Sequence, residues 1–220
     1  MKKILFTICF SLCFFWATAQ DRTPATAEQQ AMIKAKIAES AQKTNSMTCD
    51  FVQTKKSLLL SEEAVSKGKM FYRTANNTAT SAVNNIALRW EYADGYTFIV
   101  NNDNMQVLTP EGKPQNSVKM NRFFKEIINT MLIAVNGKDM TDQNKYTATF
   151  YVDKNHWYIN LIPVQREIKN MFSSIELVFS AYDHTGERVE ITEKSGDKTI
   201  ITLTNKKLNV KIEEAKFSIK

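Results

Sequence analysis

The chain has 220 residues, of which 43% are hydrophobic and 24% are charged, and its formal net charge is +6 at pH 7. Its 29 basic and 23 acidic residues are not massed in one block, which is typical of a mildly basic solvated surface and argues against a nucleic-acid partner. With only 6 glycines, 4 prolines and no internal repeat, the composition argues against a long linker or a repeat array and favours one domain.

The first residues predict export. Lys2 and Lys3 precede an apolar run from Ile4 to Trp16, and the run ends in the small-residue pattern Ala17-Thr18-Ala19. This arrangement is typical of a cleavable signal peptide, and the run is shorter than the roughly 20 residues that a membrane-spanning helix needs. We therefore expect residues 1–19 to be removed after Ala19 and residues 20–220 to form a single exported domain.

Cleavage would leave the mature chain with one cysteine. Cys9 and Cys13 leave with the signal peptide, so Cys49 cannot form an internal disulfide. A cysteine of this kind is more often a small apolar core residue than a reactive thiol. The formal charge falls from +6 to +4 because Lys2 and Lys3 also leave. Stability is therefore expected to come from an ordinary hydrophobic core.

A capping box predicts the first helix. Thr26 is followed three residues later by Gln29, ahead of the apolar positions Ile33 and Ile37. We therefore expect an amphipathic helix from Ala27 to Gln42, whose apolar stripe must cover another surface.

Alternation of apolar and polar residues then predicts strands. The pattern starts with Met47, Cys49 and Phe51 and is clearest from Ile86 to Tyr92, where Arg89 and Glu91 form the polar face. Gly68 to Arg73, Tyr96 to Asn101 and Met105 to Leu108 read as further strands, and residues 74–85 as a long loop. The apolar face that we expect to line a cavity consists of Met70, Tyr72, Leu88, Trp90, Tyr92, Phe98 and Val100.

A strongly apolar stretch, Met120 to Val135, has helical spacing instead, and Asn136-Gly137 supplies a left-handed stop. Its apolar positions recur at i, i+3 or i+4, and i+7. A strongly apolar helix in a chain that otherwise shows strand patterns is expected to cover an apolar surface as a lid. The lid residues that we expect to face that surface are Phe124, Ile127, Ile128, Met131, Ile133 and Ala134.

After this helix the chain returns to strands. We predict them at Tyr146–Val152, Trp157–Pro163, Ile175–Tyr182, Glu187–Glu193, Thr199–Thr204, Leu208–Ile212 and Ala215–Ile219. About 10 or 11 consecutive antiparallel strands twist and curl into an open or partly closed barrel. The predicted fold class is therefore mainly β (α+β): a single open antiparallel half-barrel covered by the N-terminal helix and the mid-chain lid. An unclosed barrel of this kind leaves a concave apolar face that needs a lid or a ligand.

Several segments resemble a known family in their order and spacing. They are Asp50-Phe51-Val52-Gln53, the strand opened by Gly68, Leu88-Arg89-Trp90, Met131-Leu132-Ile133-Ala134 and Ala215-Lys216-Phe217. In this order they resemble the LolA-type outer-membrane lipoprotein carriers over nearly the whole mature chain. The resemblance implies a periplasmic monomer that receives acylated lipoproteins from an inner-membrane ABC-type complex and delivers them to an outer-membrane acceptor. It also implies that Leu88 and Trp90 line the cavity and that Met131, Ile133 and Ala134 lie on the lid.

The chain departs from the family where an arginine is expected to hold the empty lid shut. That arginine stands just after the strand opened by the glycine, and counting from Gly68 places Thr74 there. Arg73 comes one residue earlier and points to the opposite face of a regular strand. The possible lid latch is therefore Arg73 or Thr74.

Catalytic chemistry is poorly represented. His156 and His184 fall in predicted connections without a neighbouring nucleophile, and the chain has no Cys-x-x-Cys, zinc-binding histidine pair or glycine-rich phosphate loop. We therefore expect no enzyme, no metal and no cofactor. Two alternatives to a lipoprotein carrier stay open: a carrier of another lipid, glycolipid or lipid-like pigment, and a non-transporting envelope module that senses or scaffolds. The second predicts a filled, dry interior.

Overall fold

A computed structural model of the protein describes residues 22–59, 62–74, 86–101, 104–115, 122–137 and 140–219, without the side chains of residues 122–125 and 136. The predicted signal peptide and the predicted loop residues 75–85 lie outside these ranges. Within them, no helix combines the length and the apolar character needed to cross a membrane.

The described chain forms one antiparallel sheet with helices packed on it. The strands are β1 (Thr23–Pro24), β2 (Ser46–Lys56), β3 (Ala64–Thr74), β4 (Ile86–Tyr92), β5 (Thr97–Asn101), β6 (Asn104–Leu108), β7 (Tyr146–Val152), β8 (His156–Pro163), β9 (Phe172–Ser180), β10 (Gly186–Glu193) and β11 (Lys198–Leu208). The helices are α1 (Ala27–Lys43), α2 (Arg122–Asn136), α3 (Arg166–Lys169) and a 3₁₀ turn at Glu214–Phe217. The fold class predicted from the sequence is confirmed.

The sheet does not close on itself within the described residues. Its strand order is β1-β7-β8-β9-β10-β11-β2-β3-β4-β5-β6, so β1 and β6 are the two edges and the central pair joins β11 to β2. Twist accumulating over eleven strands curls such a sheet into a trough. The buried side chains of its concave face, together with those of α1 and α2, form the core.

Helix α1 begins as its capping box predicts. The Thr26 hydroxyl accepts a hydrogen bond from the Gln29 amide (3.2 Å), and the Gln29 side chain accepts one from the Thr26 amide (2.9 Å). Ile33 and Ile37 are buried on the sheet side of the helix. The helix therefore covers part of the concave face, as its apolar stripe indicated.

Two of the predicted strands near the C-terminus are wrong. Leu208 ends β11 rather than opening a new strand, because β11 runs on past Thr204 through an irregularity in its register with β2. Asn209 then adopts a left-handed conformation with φ of 55°, and its side chain bonds the backbone at Lys43 and Asn45, which turns the chain off the sheet. The predicted strand Ala215–Ile219 is instead the 3₁₀ turn that buries Phe217.

Gly68 of β3 stands where the neighbouring strands β2 and β4 leave no room for a side chain. A Cβ at this position would overlap the Glu91 carbonyl oxygen and lie 2.7 Å from the Phe51 ring. We expect Gly68→Ala to lower the free energy of unfolding by about 3 kcal/mol, because overpacking forces the backbone to move. The measurement is urea-induced unfolding. Gly112→Ala is the control: its Cβ would meet nothing within 4 Å, and only its φ of 73° is strained, for an expected loss of about 1 kcal/mol. Equal losses in the two variants would contradict this account.

Candidate functional site

A cluster of aromatic rings forms part of the concave face. Strand register places Trp90 of β4 between Met70 of β3 and Phe98 of β5. The Phe51 ring centroid lies 4.5 Å from that of Trp90 and 5.1 Å from that of Tyr92, and the Tyr92 and Phe98 centroids are 5.7 Å apart. Tilted and edge-to-face contacts at these distances stabilise this apolar floor of the concave face.

A cavity of about 120 Å³ lies between this floor and helix α2. Its wall combines residues from β2, β4, β11 and α2: Gln53, Lys55, Trp90, Tyr92, Ile127, Ile128, Met131, Thr199 and Ile201. Ligand sites for drug-sized molecules usually enclose about 300–1,000 Å³. The cavity is therefore smaller than such a site, and a long apolar ligand can enter only if part of the wall moves.

Helix α2 is anchored at its C-terminal end. A Cβ on Gly186 at the start of β10 would overlap the Ala134 carbonyl oxygen, so the absence of a side chain there lets the helix backbone touch the strand. One turn later Gly137, with φ of 65°, ends the helix against Ile37 of α1. The cavity lies under Ile127, Ile128 and Met131, N-terminal to these contacts. These close contacts hold α2 against the sheet and against α1, so they resist displacement of the helix away from the cavity.

The wall of the cavity is mostly apolar and becomes polar toward one end. The Tyr92 hydroxyl donates a hydrogen bond to the Gln53 side chain (2.8 Å). Burial, with the nearby Asp94 carboxylate, raises the pKa of Tyr92 to about 12, so this donor stays protonated at any physiological pH. The Lys55 ammonium lies 3.9 Å from a Glu193 carboxylate oxygen. The Trp90 indole N–H is buried without a hydrogen-bond partner among the described residues.

Five residues predicted for the site line this cavity: Trp90, Tyr92, Ile127, Ile128 and Met131. Three others, Met70, Tyr72 and Leu88, are buried in the core beside it, and Phe98 and Val100 are partly buried against that core. Strand register sets these five on the same concave face as Trp90.

The remaining predicted lid residues lie elsewhere on α2. Ile133 and Ala134 are buried in the anchored half of the helix. The side chain of Phe124 lies outside the described residues. The structure therefore separates the predicted lid into a half that anchors and a half that faces the cavity.

The two candidate latch residues end β3. Arg73 forms an ion pair with Glu214, and its guanidinium carbon lies 5.1 Å from the ring centroid of Phe217. Both partners belong to the C-terminal 3₁₀ turn, so these contacts hold Arg73 to the outer face of the sheet. The Thr74 amide donates to the Asn45 carbonyl (2.9 Å). Which of the two latches the lid stays a prediction.

Four cavity residues were missed from the sequence: Gln53, Lys55, Thr199 and Ile201. They come from β2 and β11, strands that are paired but far apart in the chain. Gln53 and Lys55 do continue the face of Phe51 at every second position. That periodicity was the available signal, but their polar side chains argued against a cavity wall.

The chemically reactive side chains lie apart from the cavity. Burial raises the pKa of the Cys49 thiol to about 12, so this cysteine stays protonated and inert. His184 stacks on Trp157 at a centroid distance of 4.9 Å. His156 lies near Asp153 (3.3 Å) and Glu187 (3.5 Å). Among the described residues, no group of three His, Cys, Asp or Glu side chains is arranged to hold a metal.

Asp153 organises the β7–β8 turn through three short hydrogen bonds. Its carboxylate accepts from the Tyr158 hydroxyl (2.6 Å) and from the amides of Asn155 (2.7 Å) and His156 (2.6 Å). Burial opposes the charge, but these bonds outweigh it and lower the pKa of Asp153 from 3.8 to about 2. The stabilisation is complete above a pH of about 4 and is lost as the pH falls toward 2.

We therefore expect Asp153→Asn to lower the free energy of unfolding by about 2 kcal/mol at neutral pH, with the difference from the native chain vanishing near pH 2. Urea-induced unfolding at pH 7, 4 and 2 measures it. A deficit that is the same at all three pH values would show that the lost contacts do not depend on the charge of Asp153.

Comparison with known proteins identifies the architecture. The model of the family described as outer membrane lipoprotein carrier protein LolA matches residues 42–220. A MucB structure has a TM-score of 0.54 at 12% identity, over 90% of this chain and 65% of its own. A DUF1329 family protein from Desulfovibrio piger has a TM-score of 0.50 at 11% identity, over 86% of this chain and 96% of its own. The chain spans less than two-thirds of MucB, and at these identities the likeness shows the fold alone. No curated protein sequence matches the chain.

Proposed function

The chain belongs to the outer membrane lipoprotein carrier protein LolA family, and from that premise we propose that it carries acylated lipoproteins across the periplasm in the cavity under α2. In this proposal the chain accepts its cargo from an inner-membrane ABC-type complex and delivers it to an outer-membrane acceptor. The chain itself catalyses no reaction; it binds, shields and releases.

The observation that carries this proposal is the position of the cavity between the aromatic floor and the side chains of α2 that lie N-terminal to its contact with Gly186. Each acyl CH₂ group withdrawn from water contributes about 0.8 kcal/mol. A few partly buried chains therefore bind firmly without any polar contact. Release requires that opening the site cost a comparable free energy, so that a membrane partner can tip the balance.

The small size of the empty cavity sets the order of events. Acyl chains do not fit in about 120 Å³, so Ile127, Ile128 and Met131 must move away from Trp90 and Tyr92 before cargo enters. The apolar contacts that they leave are replaced by contacts with the acyl chains. The closed state thereby protects the floor from water when the carrier is empty.

Native mass spectrometry of the mature chain, purified gently from the periplasm of its own host, tests this function. We expect a mass increment that extraction resolves into acyl-modified protein. Free lipid, glycolipid or pigment in its place would indicate a carrier with other cargo. A chain that is empty in every preparation and binds no fluorescent acyl probe would contradict the carrier and favour a scaffold, a second candidate that the small cavity also suits.

A further inference from the structure

The connection from β2 to β3 exposes apolar side chains that have no partner in the sheet. Leu58 is 75% exposed and Leu59 is 94% exposed, and Val65 at the start of β3 is 56% exposed. Two such side chains on one connection, with a third at the start of β3, are unusual beside a core that buries most of the described isoleucines and phenylalanines. We call Leu58, Leu59 and Val65 the leucine tip.

The leucine tip is held in place by the neighbouring β10–β11 turn. One carboxylate oxygen of Asp197 accepts hydrogen bonds from the Ser57 hydroxyl (3.0 Å) and from the Leu58 amide (3.0 Å). The Leu58 side chain packs over Gly196. A Cβ added to that glycine would lie 2.7 Å from Leu58 Cδ1. These contacts fix Ser57 and Leu58 at the start of the connection, so the exposure of Leu58 is part of the fold.

The leucine tip stands at the polar end of the cavity. Lys55 of β2 pairs with Thr199 of β11, and both line the cavity. Leu58 follows Lys55 by three residues, and the turn that holds it precedes Thr199 by two. The exposed tip and the rim of the cavity are therefore adjacent on the surface.

We propose that the leucine tip inserts into the surface of a lipid bilayer and so brings the rim of the cavity to the membrane. The inference rests on the proposed function, because it names the surface at which cargo would enter or leave. A specific protein interface usually buries about 800 Å² per partner, far more than three aliphatic side chains offer. A bilayer needs no complementary surface and accepts apolar side chains at the depth of its headgroups.

Charges around the leucine tip predict how the contact responds to lipid composition. Lys56 pairs with Glu63 (2.6 Å) and Lys55 lies near Glu193 (3.9 Å), so each of these two lysines has an acidic neighbour that offsets its charge. Anionic lipid therefore adds little attraction. We expect binding that depends on the leucines and only weakly on salt.

Vesicle flotation of the mature chain tests the proposal, with vesicles of phosphatidylethanolamine and phosphatidylglycerol mixed in equal parts. We expect the native chain to float and the double variant Leu58→Ser, Leu59→Ser to partition at least about 10-fold less, because two apolar insertions are lost. The exposed substitutions should leave the thermal midpoint unchanged. Tyr182→Ser is the matched control. Tyr182 is also 94% exposed, but it follows β9 at the opposite end of β10, roughly 26 Å away at the rise of a strand.

Three results would overturn the proposal: a native chain that stays unbound, a double variant that floats equally well, or an equal loss in Tyr182→Ser. A chain that does not float but dimerises through the tip, seen by analytical ultracentrifugation, would also overturn it in favour of self-association. Binding of a fluorescent acyl probe in solution separates this test from the proposed function. The double variant should bind the probe normally, whereas a native chain that does not bind it contradicts the carrier whatever the vesicles show.

Discussion

Replacing Ile127 with aspartate is expected to weaken acyl-chain binding by at least about 100-fold at neutral pH. Ile127 lines the cavity from α2 and is only partly buried, so the substitution costs the empty protein little. Once an acyl chain fills the site, the carboxylate loses its water without gaining a partner, at a cost of several kcal/mol. Titration with a fluorescent acyl probe measures the effect. Affinity should recover as the pH falls below about 4, where the aspartate becomes neutral.

Asn129→Asp is the matched control for this prediction. It adds the same charge to the same helix two residues away, at a position outside the cavity wall where the Asn129 amide faces Glu126 (3.4 Å). We expect near-native acyl affinity and, at most, a slight loss of helix stability from the two like charges. Equal weakening by the two substitutions would mean that acyl chains respond to the charge of α2 as a whole and do not enter the cavity.

The parts of the fold that local patterns determine were predictable from the sequence. The capping box at Thr26 begins α1 at the expected residue, and the alternation from Ile86 to Tyr92 gives β4 with its expected bounds. Both signals depend on neighbours within a few residues. The C-terminal errors come from tertiary contacts instead. Asn209 turns the chain off the sheet by bonding the backbone of a segment more than 160 residues away.

The residues of the site also divide into those that local patterns predict and those that depend on distant pairing. The contributions of β4 and α2 to the cavity were anticipated because each carries a strong apolar face. The contribution of β2 and β11 was not, because it depends on a pairing between strands about 145 residues apart and on polar side chains at the rim. The anchoring of α2 by Gly186 could not be predicted from the sequence either, because a glycine at the start of a strand gives no indication of which backbone approaches it.

The contact of α2 with Gly186 would link the stability of the protein to the opening of the cavity. In the proposed carrier, the free energy that holds α2 down at Gly186 and Ile37 opposes the movement that cargo entry would require. The affinity of a ligand that binds only the open state is reduced by the fraction of molecules that are open. Weakening the anchor should therefore make the protein less stable and the apparent binding tighter.

Gly186→Ala is the variant in which these opposite changes are expected together. The added methyl group would overlap the Ala134 carbonyl oxygen in the closed state, which we expect to lower the free energy of unfolding by about 1–3 kcal/mol. An open state with α2 displaced escapes this overlap. Each 1.4 kcal/mol lost by the closed state then raises apparent acyl affinity about tenfold, until most molecules are open. Urea-induced unfolding and acyl-probe titration of the same preparation measure the two quantities.

Ile168→Ala distinguishes gating from general destabilisation. Ile168 is buried in α3, between β8 and β9 in the chain, and its truncation should cost about 2–5 kcal/mol by leaving a void. Since that void favours neither position of α2, acyl affinity should not rise. If affinity falls in Gly186→Ala as stability falls, the anchored end of α2 is part of the binding surface and does not restrain opening. Opening would then have to occur by movement of the sheet rim around Lys55 and Thr199.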